Sequence, residues 1–251
     1  MKRAAIFYHG FLTDDKDFGR LYENIDKYYD KVEKVVFPGH KKPNDFELFN
    51  KEETLDLALS TFDRLKQEGY DKIDLYGFSM GGAIATHVSK LRSVDRLCLY
   101  APANKYLNLT FVLSQFKFQI RTIRNAMMGK SREHAKEALD SIKVYFKNDR
   151  AGWKLAMKQL FPNYNFHTLT TFMSIINECN KNLDEISIPT LILWGELDQF
   201  VPKNSVEYLE EKCKYNNVHV KIYDDLSHLM FYSENDTEII EDTIEFLEAT
   251  K

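Results

Sequence analysis

Three cysteines in 251 residues are too few and too scattered to hold a fold together. Cys98, Cys179 and Cys213 make an odd set with no C-x-x-C spacing, so neither a disulfide framework nor a zinc site is indicated. That usage suits a reducing cytoplasm. Cys98, inside the apolar run Leu97-Cys98-Leu99-Tyr100, reads as an ordinary packed thiol. Long apolar runs are missing as well, and no stretch reaches the ~20 residues of a membrane-spanning helix. The opening Met1-Lys2-Arg3 and its short apolar sequel, interrupted at His9, read as a strand rather than a secretory signal. Basic charge is in deficit: 34 Lys and Arg face 38 Asp and Glu, a formal charge of −4. Such a surface has no field for a polyanion, which excludes nucleic acid as an expected partner. The pair Lys41-Lys42 is too short to be a binding patch and reads as a solvated loop. Repeats and low-complexity tracts are absent.

What is there is a globular composition, 44% hydrophobic and 29% charged. Its length suits one α/β domain with an insertion. Strand and helix signals alternate through the first hundred residues. Ala4-Ala5-Ile6-Phe7-Tyr8 and Val35-Val36-Phe37 read as strands, the second stopped by Pro38-Gly39. Leu55, Leu57, Leu59, Phe62 and Leu65 fall at largely helical spacing over 54–68, with Gly69 as C-cap. A strand over 96–101 follows. The alternation resumes after 185 and closes on an amphipathic helix over 237–249. This rhythm predicts a mainly parallel sheet covered on both faces.

The stretch Leu75-Tyr76-Gly77-Phe78-Ser79-Met80-Gly81-Gly82 carries the chemistry. A strand enters a G-x-S-x-G turn and a helix-like Ala83-Ile84-Ala85-Thr86-His87-Val88 leaves it, the context in which such a turn lifts a serine hydroxyl clear of a sheet. Gly77 and Gly81 leave room where strand and helix pinch together, and Ser79 is expected in strained backbone. The matching acid and base should follow in the order Asp or Glu, then His. The apolar run Pro189-Thr190-Leu191-Ile192-Leu193-Trp194-Gly195 opens into a loop bearing Glu196 and Asp198. A helical segment over 203–214 and a strand over 218–223 lead to Asp224-Asp225-Leu226-Ser227-His228. Asp198 and His228 thus lie beyond the carboxyl ends of strands, where open α/β sheets bind ligands. In this reading His228 takes the proton of Ser79 and Asp198 orients His228. The N–H groups of Met80 and Phe11 would hold an oxyanion. Glu196, Asp224 and Asp225 compete with Asp198. His219, in mid-strand, competes with His228. His9, His40 and His87 read as orienting, structural or packing residues.

These blocks resemble the α/β-hydrolase superfamily, and more narrowly the compact bacterial carboxylesterases and monoacylglycerol lipases. The likeness is carried by His9-Gly10-Phe11, Pro38-Gly39-His40, Gly77-Phe78-Ser79-Met80-Gly81-Gly82, Gly195-Glu196-Leu197-Asp198 and Ser227-His228. Ser227 stands where this family often has glycine. The resemblance favours Asp198 over its rivals. It implies an α/β-hydrolase fold with a helical cap inserted after the sixth strand, dividing the chain into a core at 1–102 and 188–251 and a cap at 103–187. Cap helices are expected around 111–128, 132–146, 151–161 and 169–180. Cap aromatics include Phe111, Trp153 and Phe172; most should be core, while Phe111 and Trp153, with Phe11, would line the substrate pocket. The implied activity is a cytoplasmic serine hydrolase that cleaves short- to medium-chain acyl esters, including monoacylglycerols. No cofactor or metal is called for. A thioesterase, a feruloyl-type esterase, a C–C bond hydrolase or a non-catalytic ligand-binding homologue would fit the same residues. A nucleophilic serine argues against the dehalogenases and epoxide hydrolases of the superfamily. Oligomeric state is left open.

Overall fold

The computed structural model describes residues 1–41, 45–105, 166–214, 217–232 and 236–250. Six strands run as β1 (Arg3–Tyr8), β2 (Lys31–Val35), β3 (Lys72–Phe78), β4 (Arg96–Tyr100), β5 (Thr190–Gly195) and β6 (Val218–Tyr223). They form one sheet in the order β2-β1-β3-β4-β5-β6, and every neighbouring pair is parallel. The inner strands β3, β4 and β5 are mainly apolar and buried almost end to end, as a sheet covered on both faces requires, and the charges of Asp74 on β3 and Arg96 on β4 are buried against each other. The edge strands β2 and β6 are half-exposed and carry lysines and a glutamate or histidine.

Six described helices cover the sheet: α1 (Leu21–Ile25), α2 (Lys51–Gln67), α3 (Met80–Leu91), α4 (Phe166–Asn180), α5 (Asn204–Lys212) and α6 (Asp236–Ala249). On one face α2 and α3 lie on the sheet and α4 packs on both of them. On the other, α1 meets α6, and Phe7, Tyr76, Tyr100, Phe18 and Phe231 make a chain of ring contacts. Helix α2 begins earlier than its apolar spacing implies, because Asn50 caps it by accepting the Glu53 N–H at 2.8 Å. It ends at Gly69, whose φ of 87° is the left-handed turn expected there. Strand β2 stops at Val35 rather than running on to Phe37, because the Phe37 N–H leaves the ladder to donate to His9 Nε2 at 3.0 Å.

The expected cap helix around 169–180 is α4, starting at Phe166. Those expected around 111–128, 132–146 and 151–161 lie outside the described residues, as do Phe111 and Trp153. The strand ahead of that segment is β4, the fourth of the described strands.

Close backbone approach fixes how β3 turns into α3. A Cβ added at Gly77 would lie 2.4 Å from Gly81 O, and one at Gly81 would lie 1.9 Å from Tyr8 O at the end of β1. Neither contact can be relieved by a side chain swinging away. Replacing Gly81 by alanine is therefore expected to destabilise the protein by more than about 3 kcal/mol. At Gly69, where nothing lies within 4 Å, alanine should cost only the left-handed strain of about 1–2 kcal/mol. Urea unfolding of the two variants checks the contrast, and equal losses would contradict it.

Candidate active site

Because all six strands point the same way, the loops after β1, β3, β5 and β6 open on one edge of the sheet. Ser79 follows β3 with φ 53° and ψ −116°, a left-handed conformation that a non-glycine residue adopts only when the surroundings compel it. Its N–H donates to Tyr100 O at 2.9 Å, and its carbonyl accepts from Gly82 N and Ala103 N, both at 3.0 Å. The turn is held by its main chain, and the hydroxyl is left to project at the mouth of α3.

The acid and the histidine are brought together by a second set of main-chain contacts. Leu197 N donates to Leu226 O at 3.1 Å, and Glu196 N to Tyr223 O at 2.8 Å, joining the loop after β5 to the loop after β6. A Cβ at Gly195 would lie 2.1 Å from Leu226 O, so glycine is required for that approach. On this double loop Asp198 Oδ1 accepts from Phe200 N at 2.8 Å and Val201 N at 2.9 Å. Its Oδ2 lies 2.7 Å from His228 Nδ1, and His228 Nε2 lies 3.0 Å from Ser79 Oγ. With Nδ1–H donating to the carboxylate, Nε2 is left to accept from the hydroxyl. Phe78 and Phe200 flank the imidazole, with ring centroids 5.1 and 5.3 Å away. All three polar side chains are buried. A chain of this kind can move a proton from a hydroxyl to an imidazole beside a fixed negative charge.

The rival residues lie elsewhere. Glu196 is exposed, and His219 is an exposed residue of β6 whose ring rests on Phe246. His87 is buried in α3, with Nδ1 unpaired among the described residues. His9 and His40 brace the loop after β1. His9 Nδ1–H donates to Gly10 O at 2.7 Å while its Nε2 accepts from Phe37 N. His40 Nδ1–H donates to Pro38 O at 2.9 Å while its Nε2 accepts from Leu12 N at 3.2 Å. Burial pushes His9 down to about 4 and His40 down to about 3, against partial opposition from these carbonyls and from Asp14. Both are neutral two-ended connectors.

Phe11 is buried, its ring against Phe49 and against Phe172 of α4, with centroids 5.9 and 4.8 Å away. Met80 opens α3, and the N–H groups of a first turn have no partner within their helix. One residue of the site has no signal in the sequence. Asp17, on the segment between β1 and α1, accepts from Gly10 N at 2.7 Å and from Thr13 Oγ1 at 2.5 Å. Nothing in the local pattern distinguishes it from its neighbours Asp14 and Asp15.

A doubly covered parallel sheet with a serine on a strained strand-to-helix turn, facing a histidine and an aspartate from later strand ends, is the α/β-hydrolase architecture. Within it, the chain belongs to the family described as serine aminopeptidase, S33, which matches residues 53–236. A carboxylesterase of Bacillus subtilis strain 168 is 21% identical over 251 residues, covering 98% of this chain and 92% of its own length. Among solved structures, one reported for the metagenome-derived lipolytic enzymes LipS and LipT is similar with a TM-score of 0.68 at 14% identity, covering 99% of this chain and 94% of that one. The monoacylglycerol lipase of Paleococcus ferrophilus is similar with a TM-score of 0.66 at 16% identity, covering 99% and 95%. The relatives and the family place this chain among the esterase- and lipase-type hydrolases of the fold.

The lowered pKa of His40 has a thermodynamic consequence. An unfolded histidine titrates near 6.5, whereas the folded one stays neutral down to about 3. The unfolded chain therefore binds more protons below pH 6.5, and the stability present above that pH is lost as the pH falls toward the folded value. Between pH 7 and pH 5 wild type should lose about 2 kcal/mol more than His40→Gln, which keeps an acceptor for Leu12 N–H without the titration. Denaturant midpoints at the two pH values test this. Parallel losses would show that His40 charges freely in the folded protein.

Proposed function

We propose that the protein is a serine esterase that cleaves carboxylic esters through an acyl-enzyme on Ser79. The observation that carries the reading is the continuous hydrogen-bond chain from Ser79 Oγ through His228 to Asp198, at 3.0 and 2.7 Å. Ser79 Oγ attacks the ester carbonyl carbon as its proton passes to His228 Nε2. Asp198 remains a carboxylate and stabilises the imidazolium through Nδ1–H. The carbonyl oxygen, now an anion, is held by the main-chain N–H groups of Met80 and Phe11. Collapse breaks the bond to the alcohol, which leaves with the proton from His228. Water, deprotonated by the same imidazole, then releases the acid.

The segment 103–187 acts as a cap over Ser79 in this reading. Its support is the contact of Phe172 on α4 with Phe11 on the loop after β1. Short- to medium-chain acyl esters, including monoacylglycerols, are the proposed substrates, in keeping with the names of the similar proteins. No cofactor takes part, and no metal is required by the steps above. Among the described residues no helix is long and apolar enough to cross a membrane, and the described cysteines are unpaired. Both features accord with the cytoplasmic setting we propose.

A fluorophosphonate probe should label wild type at Ser79 and leave Ser79→Ala unlabelled, read by intact-mass spectrometry. His228→Ala and Asp198→Asn should each lose on the order of 10³–10⁴ in kcat while melting cooperatively. Near-normal turnover by either variant would overturn the assignment. A graded series of p-nitrophenyl esters, with one feruloyl ester and one acyl-CoA alongside, fixes the substrate class. An unlabelled, inactive wild type would point instead to a ligand-binding homologue.

A further inference from the structure

We propose that Asp17 is a positioning residue for the oxyanion-binding loop, pinning the peptide plane ahead of Gly10 so that the Phe11 N–H is held toward Ser79. The inference rests on the esterase reading and extends it to a residue that touches neither substrate nor Ser79. Its basis is the way two successive peptide planes are fixed. The plane joining Gly10 to Phe11 is held through its carbonyl, which accepts from His9 Nδ1–H at 2.7 Å. In a trans peptide the N–H points opposite to the C=O, so this bond sets the direction of the Phe11 N–H. The preceding plane, joining His9 to Gly10, is held through its N–H, which donates to Asp17 Oδ2 at 2.7 Å. Gly10 sits between the two planes, and without the second anchor its torsions would be free to turn.

Steric and conformational details agree with a built clamp. A Cβ at Gly10 would lie 3.0 Å from the Phe78 ring and 3.2 Å from Asp17 Oδ2, so the carboxylate lies against the glycine itself. Leu12, two residues on, has a φ of 58° and is tied by its N–H to His40 Nε2. The loop is thus stretched between three polar anchors, of which Asp17 is the only carboxylate. Asp17 is 1% exposed, Thr13 donates to its Oδ2 at 2.5 Å, and Oδ1 has no hydrogen-bond partner among the described residues. A buried acid that merely filled space would be replaced by an apolar residue without loss. One with an orphaned oxygen is a cost that calls for a compensating role.

The ionisation of this acid lies where an enzyme operates. Burial pushes Asp17 up to about 7, against the opposing hydrogen bonds from Thr13 and Gly10. The charged groups that face it are Asp14, which raises it further, and His228, which lowers it. Tyr22 and Tyr232 feel its charge in turn, and both phenols are held above their ordinary range, chiefly by burial. Protonation weakens the clamp, since a hydrogen bond to a neutral acceptor is roughly half as strong as one to a carboxylate. Active enzyme therefore carries Asp17 ionised, and activity falls as the pH drops through the region of 7.

Asp17→Asn keeps the shape and an acceptor but loses the charge. With a short-chain p-nitrophenyl ester it should lower kcat about 10- to 100-fold, short of the ~10²–10³ for loss of a whole oxyanion donor, and leave KM within about twofold. The acid limb of log kcat/KM should steepen toward two protons in wild type and keep a single-proton slope in the variant. Thr13→Val removes a bond that lowers the pKa of Asp17, so its acid limb should move to higher pH. A residue that only supports the fold would move neither limb. The stability difference between Asp17→Asn and wild type supplies an independent readout. An acid raised by burial destabilises the fold increasingly as pH rises from about 4 to 7, so the variant should gain on wild type between pH 5 and pH 8. Fluorophosphonate labelling run in parallel separates the two levels of the argument. If wild type is labelled and Asp17→Asn is labelled at the same rate with an unchanged acid limb, this inference fails and the esterase reading stands. If wild type is not labelled, both fall.

Discussion

Everything at the open edge of the sheet hangs from the missing side chain at Gly81. A Cβ there would overlap the carbonyl of Tyr8, so the start of α3 lies directly on the end of β1. That contact puts the serine turn and the His9-Gly10-Phe11 loop side by side before any side chain is considered. The strained φ of Ser79 follows from it, because the chain must reverse from strand to helix within the space two glycines leave. Ordinary residues around the turn offset this strain with main-chain bonds to Tyr100, Gly82 and Ala103. The hydroxyl is therefore positioned by backbone, which packing fluctuations move least. His228 and Asp198 must come to it, and they do so on two loops that are stapled by their own backbone at Leu226.

Electrostatics under the site follows a consistent rule. Where a polar connector is needed in a dry place, the protein uses a neutral imidazole bonded at both ends, as at His9 and His40. Such a ring bridges two main-chain groups without burying a charge. Asp17 departs from the rule. It has donors on one oxygen and none on the other, whereas Asp198 has both oxygens occupied. Two aspartates at one sheet edge thus differ in how fully they are satisfied. That difference separates an acid whose task is to stay in place from one whose proton can come and go.

The fold class and the central constellation were legible because each part is announced locally. Short, mainly apolar stretches mark β3, β4 and β5, and the glycines around Ser79 mark where strand meets helix. The order of serine, acid and histidine along the chain pointed to the loops after β5 and β6, the family resemblance favoured Asp198 among the acids there, and the structure brings Asp198 and His228 together. What escaped were the features decided by partners distant in sequence. The end of β2 is set by His9 accepting a bond from a residue 28 positions away. The start of α2 was announced by Asn50 and Glu53, a signal that the apolar periodicity masked. Asp17 looked like one of several acids in a polar stretch, and only the fold shows that it turns inward. Phe111 and Trp153 lie outside the described residues.

The fold does not choose the substrate, since the same scaffold serves many reactions; the surroundings of the scissile group must do so. On the proposed esterase reading, Phe11 and the rings behind it would form one face of that space. The ring of Phe11 meets Phe49, ahead of α2, and Phe172, on α4. Three separate stretches of chain thereby converge behind a single residue whose N–H is proposed to hold the oxyanion. Phe172 is 1% exposed, so it cannot shift without disturbing its neighbours in the core. A substrate that presses on this wall presses also on the donor that stabilises its transition state. Acyl groups that fit without displacing the wall then keep the N–H aimed, and bulkier ones lose rate rather than merely affinity. Selection by turnover more than by binding is the behaviour expected when a specificity wall and an oxyanion donor share one residue.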